Sequence, residues 1–426
     1  MANLPNPDSE IIDNLVDLET IEAITDFGDA FDIADKLGVD LEGLNEIEEI
    51  KERLTMEFKK SLPDFINFKE KVCQDMKATS KIDGEKCDKL LDLLEKTKTN
   101  FLKNADENSR ELMILEEALQ TENILNSLRE DFDFKIQSLN NKTCSFVVAG
   151  ETSAGKSKFL NLLLEEDLLP SKLEPCTSVI TRLSYDKTRH AKIIYRDNIE
   201  KAPEIYENVT KDQLKPLIFE ENLDKREKTS DVKEVQIFLP SRILENGLVL
   251  IDSPGIGENE DMDKVIEDFV EENHVMGFIY IIKSDNGGGM DEDRLIKLMK
   301  IILQKQSLKG NRSSFRFDPR CAMFVCNIWD RVTEKQTVYD YIIKRLNQYW
   351  PHFNEQKVVK FSTTNAEREI DQNQDYIIKD YQKLLIVLQT MHEEALDDRI
   401  KACYVWIRNV LIRSIQHLKM LAKKLN

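Results

Sequence analysis

The sequence predicts an α/β domain, with a mixed, mostly parallel sheet that carries helices on both faces, and an α-helical bundle built from segments before and after that domain. Short apolar runs at 144–149, 248–251, 322–326 and 358–361 each end in glycine or polar residues, as buried parallel strands do. Apolar residues at three- and four-residue steps flank this region on both sides, which is typical of amphipathic helices. Because no glycine follows Gly310, the C-terminal region is predicted to be mainly helical.

The helical segments are predicted from their apolar periodicity. The clearest pattern covers 110–139, and further patterns cover 44–60 and 85–103. Two separate helices are predicted after the α/β domain, at 377–395 and 400–418. Because each amphipathic helix must bury its apolar stripe, we expect the helices on both sides of the domain to pack into one bundle. The predicted domains are an acidic N-terminal arm (1–43), a first bundle segment (44–140), the α/β domain (141–370) and a C-terminal bundle segment (371–426).

The first strand of the α/β domain leads into a glycine-rich loop and then an amphipathic helix. The loop reads G-E-T-S-A-G-K-S, and in this setting its backbone N–H groups and the new helix end can cradle a phosphate. An ordinary turn before a helix is the alternative. Lys156 is expected to reach the β- and γ-phosphates, and the Ser157 hydroxyl to hold Mg²⁺. The predicted nucleoside triphosphate site comprises Gly150, Glu151, Thr152, Ser153, Ala154, Gly155, Lys156, Ser157 and Lys158.

The next apolar strand that leads into an acidic residue covers 248–251 and is followed by Asp252-Ser-Pro-Gly255. A buried strand that delivers Asp252 to the phosphate end of the sheet can hold Mg²⁺ through a water, and Gly255 lets a backbone N–H approach the γ-phosphate. The same four residues also make a good turn, but their place behind a buried apolar run favours the metal role. A hydroxyl upstream must complete the Mg²⁺ shell. Thr177, in the loop before a β-branched strand, is preferred over Thr181 inside that strand.

The third and fourth strands lead into residues that can bind a base. After the third strand comes Asn327-Ile-Trp-Asp330, and the Asp330 carboxylate can accept both the N1–H and the 2-amino group of guanine. Adenine offers no such donor pair, so the pattern favours GTP over ATP. The usual GTPase form has lysine where this chain has Ile328. Small polar residues after the fourth strand are expected to close over guanine, and the predicted base site comprises Asn327, Trp329, Asp330, Ser362 and Thr364.

Together these motifs resemble the dynamin superfamily of large GTPases. The resemblance rests on G-x-x-S-A-G-K-S, an L-P pair a dozen residues later, a P-x-T run that ends at Thr177, and Asp252-Ser-Pro-Gly255. The Asn327-Ile-Trp-Asp330 motif is similar to the N-x-W-D of mitofusins, and bacterial dynamin-like proteins are close in pattern too. The motifs lie within residues 140–366, and outside that span only the helical architecture agrees.

The resemblance implies a P-loop GTPase domain that uses GTP, GDP and Mg²⁺. Members bind GTP weakly, dimerise through their nucleotide faces with stimulated hydrolysis, and couple turnover to movement of a helical bundle that bends, tethers or fuses membranes. It implies Lys156, Thr177 and Ser153 as catalytic residues, with a monovalent cation at Ser153 as an open alternative. Dynamins proper have Gln where this chain has Thr152, and no Gln follows Gly255. Positioning of the attacking water by a Gln side chain is therefore not supported.

Charge and composition restrict the compartment and the partners. The net charge is −19, and residues 1–50, with Lys36 as their one basic residue, carry −14 of it. This argues against nucleic acid as a partner. The seven cysteines show no metal or disulfide spacing, and no run of 18 apolar residues exists. We therefore expect a reduced, cytoplasmic setting, with peripheral association at an intracellular membrane left open. Full-length mitofusins carry a membrane anchor, so a fragment or a soluble member is expected.

Three functions remain open at this point. The first is a dynamin-like GTPase that forms a nucleotide-dependent homodimer, in membrane remodelling or in an immunity-type role. The second is a nucleotide-switched interaction module with little hydrolysis. The third is an ATP-using P-loop protein, against which Asp330 argues. The acidic arm is expected to be a solvated leader, or alternatively a partner-binding or autoinhibitory segment. The loop 283–293, with three successive glycines, is either a surface connection or a contact to a partner domain.

Overall fold

The computed structural model describes most of the chain. The described residues are 21, 23–41, 44, 46–61, 65–102, 128–170, 179–196, 199, 201–218, 231–255, 260–272, 275–285, 293, 296, 297, 318–372 and 378–425. Two compact units are distinguished. The smaller one consists of Met1–Lys71 and Ala366–Lys383, and the larger one of Val72–Asn365 and Leu384–Asn426.

The larger unit is built around one sheet. Its described strands are β1 (Cys144–Gly150), β2 (Ile180–Tyr185), β3 (His190–Tyr195), β4 (Glu204–Glu207), β5 (Val232–Leu239), β6 (Leu248–Asp252), β7 (Gly277–Lys283), β8 (Ala322–Asn327) and β9 (Val358–Lys360). They lie in the order β4-β3-β5-β2-β6-β1-β7-β8-β9. The run from β6 to β9 is parallel, β2 is antiparallel to β6 but parallel to β5, and β3 is antiparallel to both β4 and β5. The predicted mixed, mostly parallel sheet is therefore confirmed.

The central strands form because their sequences are apolar on both faces. Strands β1, β6 and β8 are buried along their whole length, as strands covered by helices on both sides must be. Since these strands and β9 are parallel, their carboxyl ends lie at the same edge of the sheet. The loops that follow them meet there, where open α/β sheets bind ligands.

The described α-helices are α1 (Phe27–Leu37), α2 (Ile47–Ser61), α3 (Phe65–Leu102), α4 (Leu128–Asn140), α5 (Lys156–Leu164), α6 (Lys211–Ile218), α7 (Glu260–Glu272), α8 (Lys335–Tyr349), α9 (Thr363–Gln372) and α10 (Lys379–Leu425). The predicted pair of C-terminal helices is wrong, because α10 is one continuous helix of 47 residues. The residues between the two predicted stretches, Leu-Asp-Asp-Arg at 396–399, contain neither proline nor glycine, so nothing there ends the helix.

Helices α3, α4 and α10 bury a common apolar core, which confirms the bundle expected from segments on both sides of the α/β domain. Phe132 of α4 packs edge-to-face on Trp406 of α10, with ring centroids 5.0 Å apart. The portion of the predicted 110–139 helix before residue 128 lies outside the described residues. The buried residues of this core are Cys87, Leu90, Leu94, Phe132, Leu139, Cys403, Ile407 and Val410.

Helix α10 is also fastened to the start of the strand that carries the phosphate loop. The Arg399 guanidinium donates to the main-chain oxygen of Asn141 and, at 3.3 Å, to that of Thr143, just before β1 begins. Two turns earlier, His392 is fully buried, and neither of its ring nitrogens has a hydrogen-bond partner among the described residues. Burial, together with the nearby charge of Arg399, lowers the pKa of His392 to about 4. The imidazole is therefore neutral at physiological pH.

In the smaller unit, α1 and α2 share an apolar core. Ile21, Ile24 and Ile33 pack in one cluster with Leu54 and Phe58, all of them buried. The sequence predicts a solvated leader here, but from Ile21 onwards the described residues of the acidic arm bury apolar side chains against α2. Separately, no helix in the described stretches of the chain has the length and apolar character needed to cross a lipid bilayer.

Candidate nucleotide-binding site

The phosphate loop begins where β1 ends, and its shape depends on glycine at both ends. At Gly150 (φ 148°) an added Cβ would lie 2.3 Å from the carbonyl oxygen of Ile281 on β7, so no side chain fits. Gly155 has φ 91° and ends the loop at the first turn of α5. Ser153 also takes a left-handed conformation, with φ 59°. Alternation of left- and right-handed residues turns successive N–H groups inward, which is how such a loop binds an anion.

Lys156 lies beneath this loop. Its ammonium group donates to the main-chain oxygens of Glu151 at 3.0 Å and Gly150 at 3.3 Å, and the residue is only 7% exposed. These two carbonyl contacts hold the ammonium group against the start of the loop. Positive charge at this point, together with the N-terminus of α5, suits a phosphate chain. Within the loop Glu151 and Ala154 are buried, whereas Thr152 is half-buried.

Strand β6 brings Asp252 to the phosphate loop. The Ser157 hydroxyl donates to the Asp252 Oδ2 at 2.8 Å, although the two residues stand 95 positions apart in the sequence. Asp252 is 2% exposed, and Gly255 three residues later is also buried. The next residue after Asp252, Ser253, is fully buried and donates to the Val148 oxygen of β1 at 3.0 Å, which fixes the start of this loop.

The oxygen atoms of Ser157 and Asp252 fit Mg²⁺, which prefers a hydroxyl or carboxylate plus waters and phosphate oxygens to a full protein cage. In such a site Ser157 would ligate the ion directly and Asp252 through a water. Thr181 is paired with Asp252 across β2 and β6, and its fully buried hydroxyl has no hydrogen-bond partner within the described ranges. It lies in a strand as expected for the alternative residue. Thr177, the preferred switch threonine, lies outside the described residues.

Asn327, at the end of β8, joins the phosphate loop to the last loop of the site. Its Nδ2 donates to the Ala154 oxygen at 2.8 Å. Its Oδ1 accepts from the backbone N–H of Thr363 at 3.1 Å and from the Thr363 hydroxyl at 2.8 Å. The residue is 2% exposed, so these three bonds are shielded from water. A Cβ on Gly155 would lie 2.7 Å from the same Nδ2, so the loop glycine also makes room for this amide.

The base loop, residues 328–331, follows Asn327 directly. Ile328 is left-handed, with φ 61°, an unusual conformation for a β-branched residue. Trp329 is 3% exposed and begins a single turn of 3-10 helix, Trp329–Arg331, whose middle residue Asp330 is exposed. The structure therefore turns the two predicted base-site residues in different directions. The Asp330 carboxylate is open to an incoming base, while the Trp329 indole packs into the protein.

The last loop lies beside the phosphate loop as expected. Thr364, which is exposed, accepts a hydrogen bond from the Lys158 ammonium at 3.0 Å, so the residue after Ser157 reaches the loop after β9. Ser362 is buried and its hydroxyl accepts from the Asn365 N–H at 3.2 Å, a cap for the first turn of α9. The predicted residues at 150–158, Asp252, Asn327, Asp330 and Thr364 are thus gathered at one edge of the sheet.

Three residues that the sequence motifs did not indicate also belong to this edge. Thr363 binds the Asn327 amide, and Tyr339 and Lys360 surround Trp329. Thr363 stands between two predicted residues, so its position was a usable signal. Tyr339 and Lys360 carry no such signal, because one lies in a helix and the other in a strand. The triple-glycine stretch of loop 283–293 lies outside the described residues.

Comparison with known proteins shows which family this domain resembles. Residues 146–298 match the model of the Dynamin family. A bacterial dynamin-like protein of Nostoc punctiforme is 25% identical over 209 residues, which are 48% of this chain and 27% of the relative. Dynamin-like protein 2 of Campylobacter jejuni is 30% identical over 167 residues, or 39% of this chain and 25% of the relative. The match thus spans about a quarter of the length of these two relatives.

Among solved structures, an oligomerised bacterial dynamin pair described as a mechanism for long-range sensing and tethering of membranes is 21% identical. The match has a TM-score of 0.45 and covers 74% of this chain and 46% of that one.

The part of the chain that carries the phosphate loop and the Ser157–Asp252 pair lies within the match to the Dynamin family, a class of domain that implies GTP and GDP as ligands. The chain is similar to members of the dynamin superfamily, and the two relatives named above are bacterial dynamin-like proteins. The expectation drawn from the motifs is confirmed at this level.

Proposed function

We propose that this chain is a GTP hydrolase of the dynamin-like type, which couples GTP binding and hydrolysis to dimerisation through its nucleotide face and to movement of the α3–α4–α10 bundle. The observation that carries the proposal is the 2.8 Å hydrogen bond between Ser157 and Asp252 beside the buried Lys156. It places a hydroxyl, a carboxylate and an ammonium group together at the N-terminus of a helix, the set of groups that phosphoryl transfer requires.

In this proposal each group of the chain has a defined task. The loop N–H groups and Lys156 bind the β- and γ-phosphates and offset the negative charge that grows on them during transfer. Bound Mg²⁺ would supply further neutralisation of that charge. Ser157 would hold it directly and Asp252 through a water, and Thr177 would complete the set. Ser153 is proposed to organise the catalytic end of the loop, and a monovalent cation there stays part of the proposal. Asp330 selects guanine.

The attacking water must be oriented by a group of the site. No Gln stands at Thr152 or after Gly255, so we propose that backbone atoms and Thr177 orient the water once a second domain closes the site. Dimerisation would then raise the rate by excluding solvent, which strengthens the electrostatic terms. Association with an intracellular membrane, as a peripheral protein, and a role in remodelling, tethering or fusion rest on the family resemblance alone.

Phosphate release from GTP, measured across a range of protein concentrations, tests the proposal. Specific activity should rise with concentration, and light scattering should show a dimer with a GDP–aluminium fluoride complex but a monomer with GDP. Lys156→Ala should abolish nucleotide binding, while Lys344→Ala, on an exposed position of α8, should match the unmodified chain. Thr177→Ala should bind GTP and lose turnover.

Two results would contradict the proposal in different ways. Tight GTP binding with flat or absent hydrolysis would indicate the nucleotide-switched interaction module. ATP and GTP bound equally well, with no effect of replacing Asp330, would indicate an ATP-using protein.

A further inference from the structure

Lys360 lies between two aromatic rings beside the base loop. Its ammonium nitrogen is 4.4 Å from the ring centroid of Tyr339 and 5.6 Å from that of Trp329. The two rings themselves meet edge-to-face, with centroids 6.4 Å apart and an interplanar angle of 84°. A cation this close to two ring faces is attracted by their negative π-surfaces, more strongly where water is partly excluded. Lys360 and Tyr339 are both half-buried.

This group of three is joined rigidly to its surroundings. The Tyr339 hydroxyl donates to Glu355 at 3.2 Å, and burial, with Glu355 nearby, raises the pKa of Tyr339, so the hydroxyl stays protonated. Lys360 is the last residue of β9 and is paired in register with Cys326 of β8. The base loop is therefore braced from α8 on one side and from β9 on the other.

The brace reaches Asp330 through Trp329. The backbone N–H of Trp329 donates to the main-chain oxygen of Phe361 at 3.0 Å, and Phe361 directly follows Lys360. The Trp329 indole is the buried side chain of the three-residue turn that presents Asp330 to solvent. Packing of the indole anchors the backbone of this turn, and the same backbone carries Asp330.

The loop also needs support from outside its own sequence. The residue before Trp329 is left-handed Ile328, a strained conformation that persists only where the surroundings hold it. At this second position the usual motif has a lysine, and this chain has none.

We propose that Lys360 is a positioning residue for guanine recognition. By holding Trp329 against Tyr339 it fixes the direction of the Asp330 carboxylate, and so supports from β9 a loop that has Ile328 in place of the usual lysine. The inference rests on the proposed function in one respect, namely that Asp330 reads guanine. One planar carboxylate must meet both N1–H and the 2-amino group, so a small error in its direction weakens this two-bond contact and with it the preference for a base that has both donors.

The test compares the affinities for GDP and IDP, since inosine keeps N1–H but lacks the 2-amino group. Lys360→Met keeps the aliphatic stem and removes the charge. It should lower the preference for GDP over IDP about fivefold, the size of one cation–π contact. Lys360→Arg keeps a cation over the rings and should restore the preference. Lys344→Met, on the exposed face of α8, serves as the matched control and should change nothing.

A merely structural role would give a different result. If Lys360 only stabilises the domain, Lys360→Met lowers the unfolding midpoint and leaves the GDP to IDP ratio unchanged, which overturns the inference. Should Lys360→Met fail to fold, Tyr339→Leu removes one ring of the same brace and is expected to lower the ratio too. If the unmodified chain itself shows no preference for GDP over IDP, it is the proposed reading of guanine by Asp330 that fails.

Discussion

Replacement of Asn327 by alanine should loosen the nucleotide site and destabilise the domain at once. The side chain makes three shielded hydrogen bonds, one to Ala154 in the phosphate loop and two to Thr363 in the last loop. Each such bond contributes about 1 kcal/mol net, so the sum lost in Asn327→Ala is about 3 kcal/mol. The loss is near this full value because Asn327 is 2% exposed and water cannot easily replace it.

The effect on binding follows from the bond to Ala154. Without it the phosphate loop is tied to the sheet by one bond fewer, and about 1 kcal/mol of lost preorganisation corresponds to roughly fivefold weaker GDP binding. Urea denaturation without nucleotide gives the stability term, and calorimetric titration with GDP gives the affinity. Asn327→Asp keeps the acceptor for Thr363 but sets a carboxylate against the Ala154 carbonyl, so it should be at least as harmful.

The matched control is Asn347→Ala. Asn347 lies on α8, where its amide makes one exposed bond to the Ile343 oxygen at 3.1 Å, so its loss should cost less than about 0.5 kcal/mol. The reasoning is refuted if Asn327→Ala and Asn347→Ala have the same stability and the same GDP affinity.

Three further predictions concern other residues. Gly155→Ala should weaken GDP binding at least about tenfold, because its Cβ would lie 2.7 Å from Asn327 Nδ2 at φ 91°; calorimetry checks this against Gly84→Ala in α3, where a Cβ meets nothing within 4 Å and binding should not change. Asp330→Asn should weaken GTP and shift preference toward xanthosine nucleotides, since an amide cannot accept both guanine donors; competition binding that leaves the guanine preference unaltered would contradict it. His392→Leu should remove a pH dependence of stability. The pKa of His392 is about 4 in the folded chain and near 6.5 in the unfolded chain, so the unfolded chain binds the proton first as pH falls. The free energy of unfolding of the unmodified chain should therefore decrease between about pH 6.5 and 4, by up to roughly 3 kcal/mol. Denaturation midpoints of both proteins that run parallel over this range would show that His392 is not responsible.

Site residues that lie close together in the sequence could be predicted better than those that meet only in the folded chain. The existence and bounds of the phosphate loop could be predicted, because strand, glycines, lysine and helix follow one another within residues 144–164. Its contacts with Ile281 and Asn327 could not. Asp252 and Asn327 were also accessible, since each ends a buried run whose polarity changes abruptly. Their roles as ligands stay predictions, as does that of Thr177.

The contacts that join these motifs could not be predicted in the same way. Lys360 and Tyr339 meet Trp329 only because β9 and α8 pack beside the end of β8, and no spacing along the chain records that. The continuity of α10 was missed for a related reason. The polar run Asp-Asp-Arg at 397–399 interrupts its apolar pattern, and that interruption resembled a break in the helix, although the backbone had no reason to stop.

The contact of Arg399 with the two carbonyls before β1 fastens α10 at that point, and a movement of the helix would turn about it. At 1.5 Å per residue, α10 extends about 39 Å beyond Arg399 to Leu425. A rotation of ~10° about this point would sweep the far end through ~7 Å, by the same helix geometry. The opposite end of β1 carries the phosphate loop, only seven residues further on. A small change at the nucleotide would then appear as a larger displacement of the far end of α10. A pair of fluorophores, one at the exposed Lys344 of α8 and one near Leu425, could follow that displacement in real time.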